Sequence, residues 1–307
     1  MKIEKMSKRE TTQRQLLIVT HLRKSPATFE EIDKMLKKES AFYKADLNVS
    51  KRTFQRDISD IRELFGVDIS FDPYIGAYCV SVDDQDEKTE LILESFHKIN
   101  ALKQASSLTN FIQFENRKPK GTEFLLEIIH SIANRQIMRF TYERYSTDGQ
   151  FCREVEPLAL KEFKSRWYII GRDQKNGNIR TYGLDRIEEL EITKKKFIYP
   201  GDFNYSRHFK HSFGIIIPEN SEPQDIILKF DGQSAKYIKS MPLHESQNII
   251  SDTGNELTIS LNLYITFDLV VEILSYGEHV KVIQPQSLID QVLKSLKNTI
   301  SRYDDTN

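Results

Sequence analysis

Along the first eighty residues the apolar positions change from helical spacing to alternation. Thr28 stands three residues before Glu31, a capping box, and Ile32, Met35 and Leu36 then form one apolar face. Ser50 is a second N-cap. Behind it Phe54, Ile58, Ile61 and Phe65 share one stripe of a helix that Gly66 ends. Val67 to Val80 alternates around the turn cluster Asp72-Pro73-Tyr74-Ile75-Gly76, which predicts a hairpin. Residues 8–82 therefore read as helices followed by two short strands.

Further along, the acidic run from Asp83 to Glu87 opens a stretch with helical spacing at Leu91, Phe96, Ile99 and Leu102. A helix from Phe124 to Ala133 leads into closely spaced strands. They are Ile137 to Tyr142, Cys152 to Val155, Leu158 to Lys161 after a break at Pro157, Arg166 to Arg172, and Ile179 to Leu184. Asp148-Gly149 and Asn176-Gly177 are hairpin turns. Short strands joined this way predict a small barrel. A connector with Gly214, Pro218 and Pro223 follows. Ile226 to Phe230, Leu257 to Ile265 and Val280 to Pro285 then alternate with helices, one running from Asp268 to Ser275 with Gly277 at its C′ position and the last passing through Tyr303. The order β, α, β, α, β, α predicts a ferredoxin-like layer. The expected division is 1–82, a helical connector 83–121, 122–205, a connector 206–223, and 224–307.

Composition adds one asymmetry. The chain has 307 residues, 39% hydrophobic and 29% charged, enough to bury real cores. The formal net charge is −1, yet residues 1–66 hold fifteen Lys and Arg against ten Asp and Glu. A basic head on an acidic body suits a nucleic-acid-binding end on a trunk with another task. Cys79 and Cys152 form neither a disulfide framework nor a zinc motif. The opening residues lack the apolar core of a signal peptide, and no run reaches the roughly 18 apolar residues of a membrane span. The expected compartment is the cytoplasm.

The helix after Ser50 carries the sharpest chemistry. Opposite its apolar stripe stand Lys51, Arg52, Gln55, Arg56, Ser59 and Arg62, side chains that reach phosphates and base edges. With its positive dipole end near phosphates, such a helix can enter a major groove. The run Asn48-Val49-Ser50-Lys51-Arg52-Thr53-Phe54-Gln55-Arg56-Asp57-Ile58 resembles the recognition-helix signature of DeoR-like winged helix-turn-helix regulators. That resemblance implies that Arg52, Thr53 and Arg56 lie at the DNA, that Asp57 is a salt-bridging residue, and that the hairpin is the wing. Ser50, Lys51, Arg52, Thr53, Gln55, Arg56, Arg62 and Tyr74 are the candidate DNA contacts. One departure is a long segment from Lys37 to Leu47 between the two helices, with Lys37, Lys38, Tyr43 and Lys44 as possible extra contacts.

In the middle region, Arg153-Glu154-Val155-Glu156-Pro157-Leu158, then Arg166-Trp167-Tyr168-Ile169, then Arg180 with Leu184-Asp185-Arg186-Ile187, resemble the WYL domain. Trp-Tyr-Ile stands where that family reads Trp-Tyr-Leu. The resemblance implies an Sm-like β-barrel that binds nucleic-acid-like or other anionic ligands, within dimeric transcription regulators linked to DNA damage response or phage defence. The residues agree, because Arg153, Arg180 and Arg186 offer rigid forks for phosphate or carboxylate. Tyr142, Trp167 and Tyr168 either stack bases or pack the barrel. The bland competitors are a core role for Trp167 and salt bridges from the arginines to Glu154, Glu156 or Asp185. The last region resembles the extension that follows WYL domains.

The chain has no phosphate-binding GxxxxGK[ST], no GxGxxG after a strand, no HExxH and no GxSxG. His208 and His211 lack an acidic or Cys partner nearby, so neither a metal nor another cofactor is expected. The fold class expected is α+β multidomain: winged helix-turn-helix, Sm-like barrel, ferredoxin-like extension. The function expected is a homodimeric repressor, not an enzyme, on an inverted-repeat duplex operator. Its effector would be single-stranded DNA, an oligonucleotide or an anionic small molecule. The alternatives are a ligand-sensing accessory protein and a nucleic-acid-processing enzyme with the barrel as substrate platform.

Overall fold

A computed structural model describes residues 8–43, 45–80, 91–92, 94–96, 98, 120–145, 149–218 and 221–304. The acidic run at 83–87, Lys44, Ile99, Leu102 and Asp148 lie outside the described residues. The architecture is mixed α and β with antiparallel sheets, and the chain divides into two compact units, 1–116 and 117–307.

The first unit comprises α1 (Lys8–Leu22), α2 (Phe29–Tyr43), α3 (Lys51–Phe65), β1 (Ile69–Asp72) and β2 (Ala77–Val80). The capping box forms: the Thr28 N–H donates to Glu31 Oε2 at 2.8 Å, and the Glu31 N–H donates to Thr28 Oγ1 at 3.2 Å. These bonds hold the Glu31 carboxyl below the usual carboxylate range. Ser50 caps α3 by accepting from the Thr53 N–H, and Gly66 closes it in the left-handed conformation at φ 72°. Phe54 and Ile61 are buried with Leu16, Ile18, Val19, Ile32, Leu36 and Leu47, and Phe96 joins the same core. The hairpin is joined by one further bridge between Ala27 and Tyr78. Helix α2 runs on to Tyr43, so the expected long segment from Lys37 to Leu47 is mostly helix. Ser40 explains the tidy exit: its Oγ donates to the Leu36 carbonyl and accepts from the Leu47 N–H.

Beneath α3 lies a buried ion pair. Arg14 Nε and Nη2 donate to Asp57 Oδ2 and Oδ1 at 2.7 and 2.8 Å, both side chains fully excluded from solvent. A bidentate fork repays desolvation only when both partners are present.

The second unit opens with α4 (Leu125–Asn134) and then β3 (Gln136–Glu143), β4 (Gln150–Phe163), β5 (Arg166–Asp173), β6 (Ile179–Gly183) and β7 (Ile187–Lys196). The sheet order is β6-β5-β4-β3-β7. Residues 150–155 of β4 pair with β3, while 155–163 pair with β5. The expected break at Pro157 is instead a shift of register between Pro157 and Ala159 inside one continuous strand. Proline cannot donate to the ladder, so the strand bulges there and bends from one neighbour to the next.

After α5 (Tyr205–Phe209) come β8 (Gln224–Asp231), α6 (Gly232–Ser240), β9 (Asn248–Asp252), β10 (Glu256–Leu263), α7 (Phe267–Ser275), β11 (Val280–Gln284) and α8 (Gln286–Asp304). The order β11-β8-β10-β9 is antiparallel throughout. Strand β9 is an addition to the expected alternation, giving β-α-β-β-α-β-α. All five of its residues are exposed, so it carries no periodic signal. Leu257, Ile259, Leu261 and Leu263 of β10 point into the core beneath α6 and α7.

Asp57→Ala should destabilise the first unit by about 3–5 kcal/mol, because a buried guanidinium loses its carboxylate. The chain's single tryptophan, Trp167, lies in the second unit and reports that unit alone. In urea the variant's far-UV circular dichroism should therefore lose amplitude well before the Trp167 fluorescence changes. Coincident transitions at the wild-type midpoint would contradict this.

Candidate nucleic-acid interface and ligand cleft

In the first unit, the outer face of α3 presents Lys51, Arg52, Gln55, Arg56 and Arg62, all exposed. Several are engaged. Lys51 Nζ lies 3.4 Å from Glu30 and 5.5 Å from the centre of the Phe29 ring. Gln55 Nε2 donates to Tyr78 Oη at 2.9 Å, tying the helix to the hairpin. Arg62 lies 3.6 Å from Asp68. Ser50 and Thr53 share a hydroxyl contact at 2.9 Å within the cap. Arg52 and Arg56 have no hydrogen-bond or ion-pair partner among the described residues. Asp57, expected to bridge, is the buried partner of Arg14. At the hairpin tip Tyr74 is fully exposed, its N–H held by Asp72 Oδ1 at 2.8 Å.

In the second unit a cleft of about 900 Å³ opens beside the five-stranded sheet. One wall is cationic and aromatic: Tyr142, Arg144, Tyr145, Arg180, Tyr182 and Arg186. The aliphatic part of the lining comes from Ile179 and the connector residues Ile215, Ile216, Ile217 and Pro218. Arg186 lies between two rings, 5.1 Å from the centre of Tyr142 and 5.0 Å from that of Tyr145. Gly183 makes the slot possible, since a Cβ there would fall 2.6 Å from Asp185 Oδ1 and 2.9 Å from Arg186 Nη2. Its N–H donates to Tyr142 Oη at 3.2 Å, fixing that ring. Arg186 Nε and Asp185 Oδ1 face each other at 3.9 Å, both buried and neither hydrogen-bonded. Unsatisfied buried polar atoms are costly and concentrate at functional sites. The other Asp185 oxygen takes Arg166 at 2.7 Å.

Tyr182 donates to Asp173 Oδ2 at 3.1 Å, and burial with that carboxylate pushes its phenol far up. Arg180 lies 4.0 Å from Asp173, leaving most of its fork available. Arg153 sits on β4, 5.4 Å from the Phe151 ring, and its charge opposes the Tyr182 shift.

Of the six residues expected at a ligand, Tyr142, Arg180 and Arg186 line this cleft and Arg153 is electrostatically coupled to it. Trp167 and Tyr168 do not line it. Trp167 packs against the sheet's core, and Tyr168 is buried beside Asp185. Sequence reasoning missed Arg144, Tyr145 and the aliphatic wall. No motif marks Ile215, Ile216, Ile217 and Pro218, because they belong to a connector. His208 borders the cleft, its imidazole held low by burial and by Lys161. His211 Nδ1 lies 3.1 Å from the Asn262 carbonyl oxygen. Among the described residues no group of three or more His, Cys, Asp or Glu is arranged to hold a metal, and no helix is long and apolar enough to cross a membrane.

Comparison with known proteins gives this unit its domains. Residues 123–192 match the WYL domain and residues 222–300 the WCX domain, so the chain carries both. Over 69 residues it is 33% identical to Protein PafB of Mycobacterium leprae and 32% identical to Protein PafB of Mycobacterium tuberculosis. The match takes in 22% of this chain and about a fifth of each relative's length. Among solved structures, proteasome accessory factor B/C (PafBC) of Arthrobacter aurescens aligns with 97% of this chain and 48% of its own, at 20% identity and a TM-score of 0.39. Similarity at that level says nothing about activity.

Gly183→Ala should push the Arg186 guanidinium out from between Tyr142 and Tyr145 and leave the sheet intact. The Arg186 Nε–H resonance should then move downfield as it leaves the two ring currents. An unchanged resonance would show that Gly183 does not shape the slot.

Proposed function

We propose that this protein with WYL and WCX domains is a sequence-specific, duplex-DNA-binding transcription regulator whose WYL cleft senses a nucleic-acid-like or other anionic ligand. The observation that carries the reading is the pair Arg52 and Arg56, without a partner among the described residues, on the outer face of a helix capped by Ser50. Cations left unpaired on one helix face are available to phosphates and to guanine edges. The order helix, single β-bridge at Ala27, helix, helix, hairpin supports a winged helix-turn-helix, with α3 in the major groove and Tyr74 on the wing.

A preceding helix and five strands in the order fourth, third, second, first, fifth support an Sm-like barrel. The β-α-β-β-α-β run supports a ferredoxin-like layer for the WCX region. In the cleft, a guanidinium between two tyrosines beside Arg180 and Arg144 suits a ligand that joins negative charge to a flat ring. The reading includes a cytoplasmic homodimer on an inverted repeat and repression of the target, and the WYL resemblance adds a role in DNA damage response or phage defence.

Selection of duplexes from a random library at near-physiological salt tests sequence-specific DNA binding, since non-specific phosphate binding fades there. An inverted repeat is the expected product. On the selected duplex, Arg52→Ala and Arg56→Ala should each weaken binding and flatten the slope of log affinity against log salt by about one. Unchanged slopes in both would remove α3 from the interface. Arg186→Ala should lose affinity for a short fluorescein-labelled single-stranded DNA and keep wild-type operator binding. Equal affinity in the variant would place the ligand elsewhere.

A further inference from the structure

The segment 211–218 joins α5 to β8, and each of its sides has a different partner. Ile215, Ile216, Ile217 and Pro218 face the Arg186 cleft as its aliphatic wall. The Thr181 hydroxyl of β6 donates to the Ile215 carbonyl at 3.4 Å. On the other side, the Ile215 N–H donates to Asp268 Oδ2 at 2.9 Å, in the first turn of α7. Gly214 lies so close to Asp268 that any Cβ would overlap its carboxylate. The Tyr264 N–H donates to the His211 carbonyl at 2.8 Å, anchoring the segment beside the end of β10. Ser212 is buried and braces the turn internally through the Ile216 carbonyl at 2.8 Å.

Lys161 reaches this junction from the second half of β4. Its Nζ donates to the Gly214 carbonyl at 2.7 Å and stands 3.9 Å from the centre of the Phe209 ring. We propose that Lys161 is a positioning residue: through Gly214 it holds segment 211–218 both as the wall of the Arg186 cleft and as the partner of α7, so that wall and helix shift together. Helix α7 carries the response inward, because Leu269, Val270 and Ile273 are buried in the core under β8 and β10. A second tie runs parallel, from Lys164 to Glu272 of α7 at 2.7 Å. The importance of the coupling for sensing rests on the ligand reading of the cleft, but the coupling itself does not.

The charge on Lys161 gives the coupling a handle. Burial depresses its ammonium to about 8, against a smaller opposing pull from Asp268 of α7. The other titratable groups around it are His208 of α5, His211 of the segment and His244 of the loop before β9. Burial holds His208 and His244 below the ordinary imidazole range, and Lys161 lowers both further. Opening the segment hydrates the amine and returns it toward its ordinary value of 10.5. Protonation therefore favours opening, and rising pH favours the closed form. Between pH 7 and pH 9 the opening equilibrium should fall about tenfold.

Hydrogen exchange of the full-length protein, corrected for intrinsic rates, tests this without any ligand. Peptides covering 212–217 and 267–270 should gain protection together from pH 7 to pH 9, by about tenfold, while β3 and β8 stay constant. Lys161→Met should abolish the pH response in both peptides. Gly214→Ala should separate them, leaving the two with different protection. A response spread over every strand would mean that Lys161 is merely buried, and a response surviving Lys161→Met or confined to one peptide would overturn the coupling. Loss of single-stranded DNA binding in Arg186→Ala is read independently, so failure of the ligand reading and failure of the coupling are distinguishable.

Discussion

Pro157 has no backbone N–H, and the second unit is arranged around that missing donor. The 14-residue strand β4 pairs with two neighbours and shifts register between Pro157 and Ala159, where the proline offers no N–H to the ladder. Its first half then serves β3 and its second half serves β5. The same bend assigns two basic residues of one strand to different tasks. Arg153 falls in the first half, within electrostatic reach of Tyr182, and Lys161 falls in the second half, against the Gly214 carbonyl. The junction with the WCX region thus draws its lysine from the half of the strand that lies beyond the shift.

The arginines show how surroundings decide what a guanidinium does. Arg14 is wholly buried and spends its fork on Asp57, which makes it part of the scaffold. Arg139 is more exposed and bridges Glu154 and Glu191 across three strands. Arg186 is held by two aromatic faces, with an Nε that makes no hydrogen bond. Arg52 and Arg56 face outward with no hydrogen-bond or ion-pair partner among the described residues. A guanidinium satisfied within the fold stabilises it at most modestly, whereas one held in place but not satisfied keeps donors free.

This ordering also explains which parts of the molecule were legible in the sequence. Helix α3 was readable because everything that defines it is local: the Ser50 cap, the stripe at Phe54, Ile58, Ile61 and Phe65, and the Gly66 stop. The role of Asp57 was readable in kind, but its partner lies 43 residues away and nothing local names it. Strand β9 was invisible because an exposed edge strand has no buried face to impose alternation. Pro157 read as a break because a bulge and a strand end look alike in one dimension. In the cleft, Arg180 and Arg186 were legible as residue types suited to anions and Tyr142 as an aromatic that stacks or packs. The aromatic signal of Trp167 and Tyr168 was spent on the core instead. The aliphatic wall could not be anticipated, since a connector acquires its neighbours only when the sheets are assembled.

The pairing of Arg14 with Asp57 has a consequence for how this sequence can diverge. Neither residue can be exchanged alone without stranding a buried charge, so the two positions form a single unit of change. A lineage that abandons the pair has to pass through an intermediate that folds poorly, or acquire both replacements nearly together. Related chains should consequently carry either the intact pair or an apolar pair of similar volume, with few mixed states. The face of α3 that points outward is under no such restriction. Its side chains can change one residue at a time, while the helix beneath them stays fixed in place.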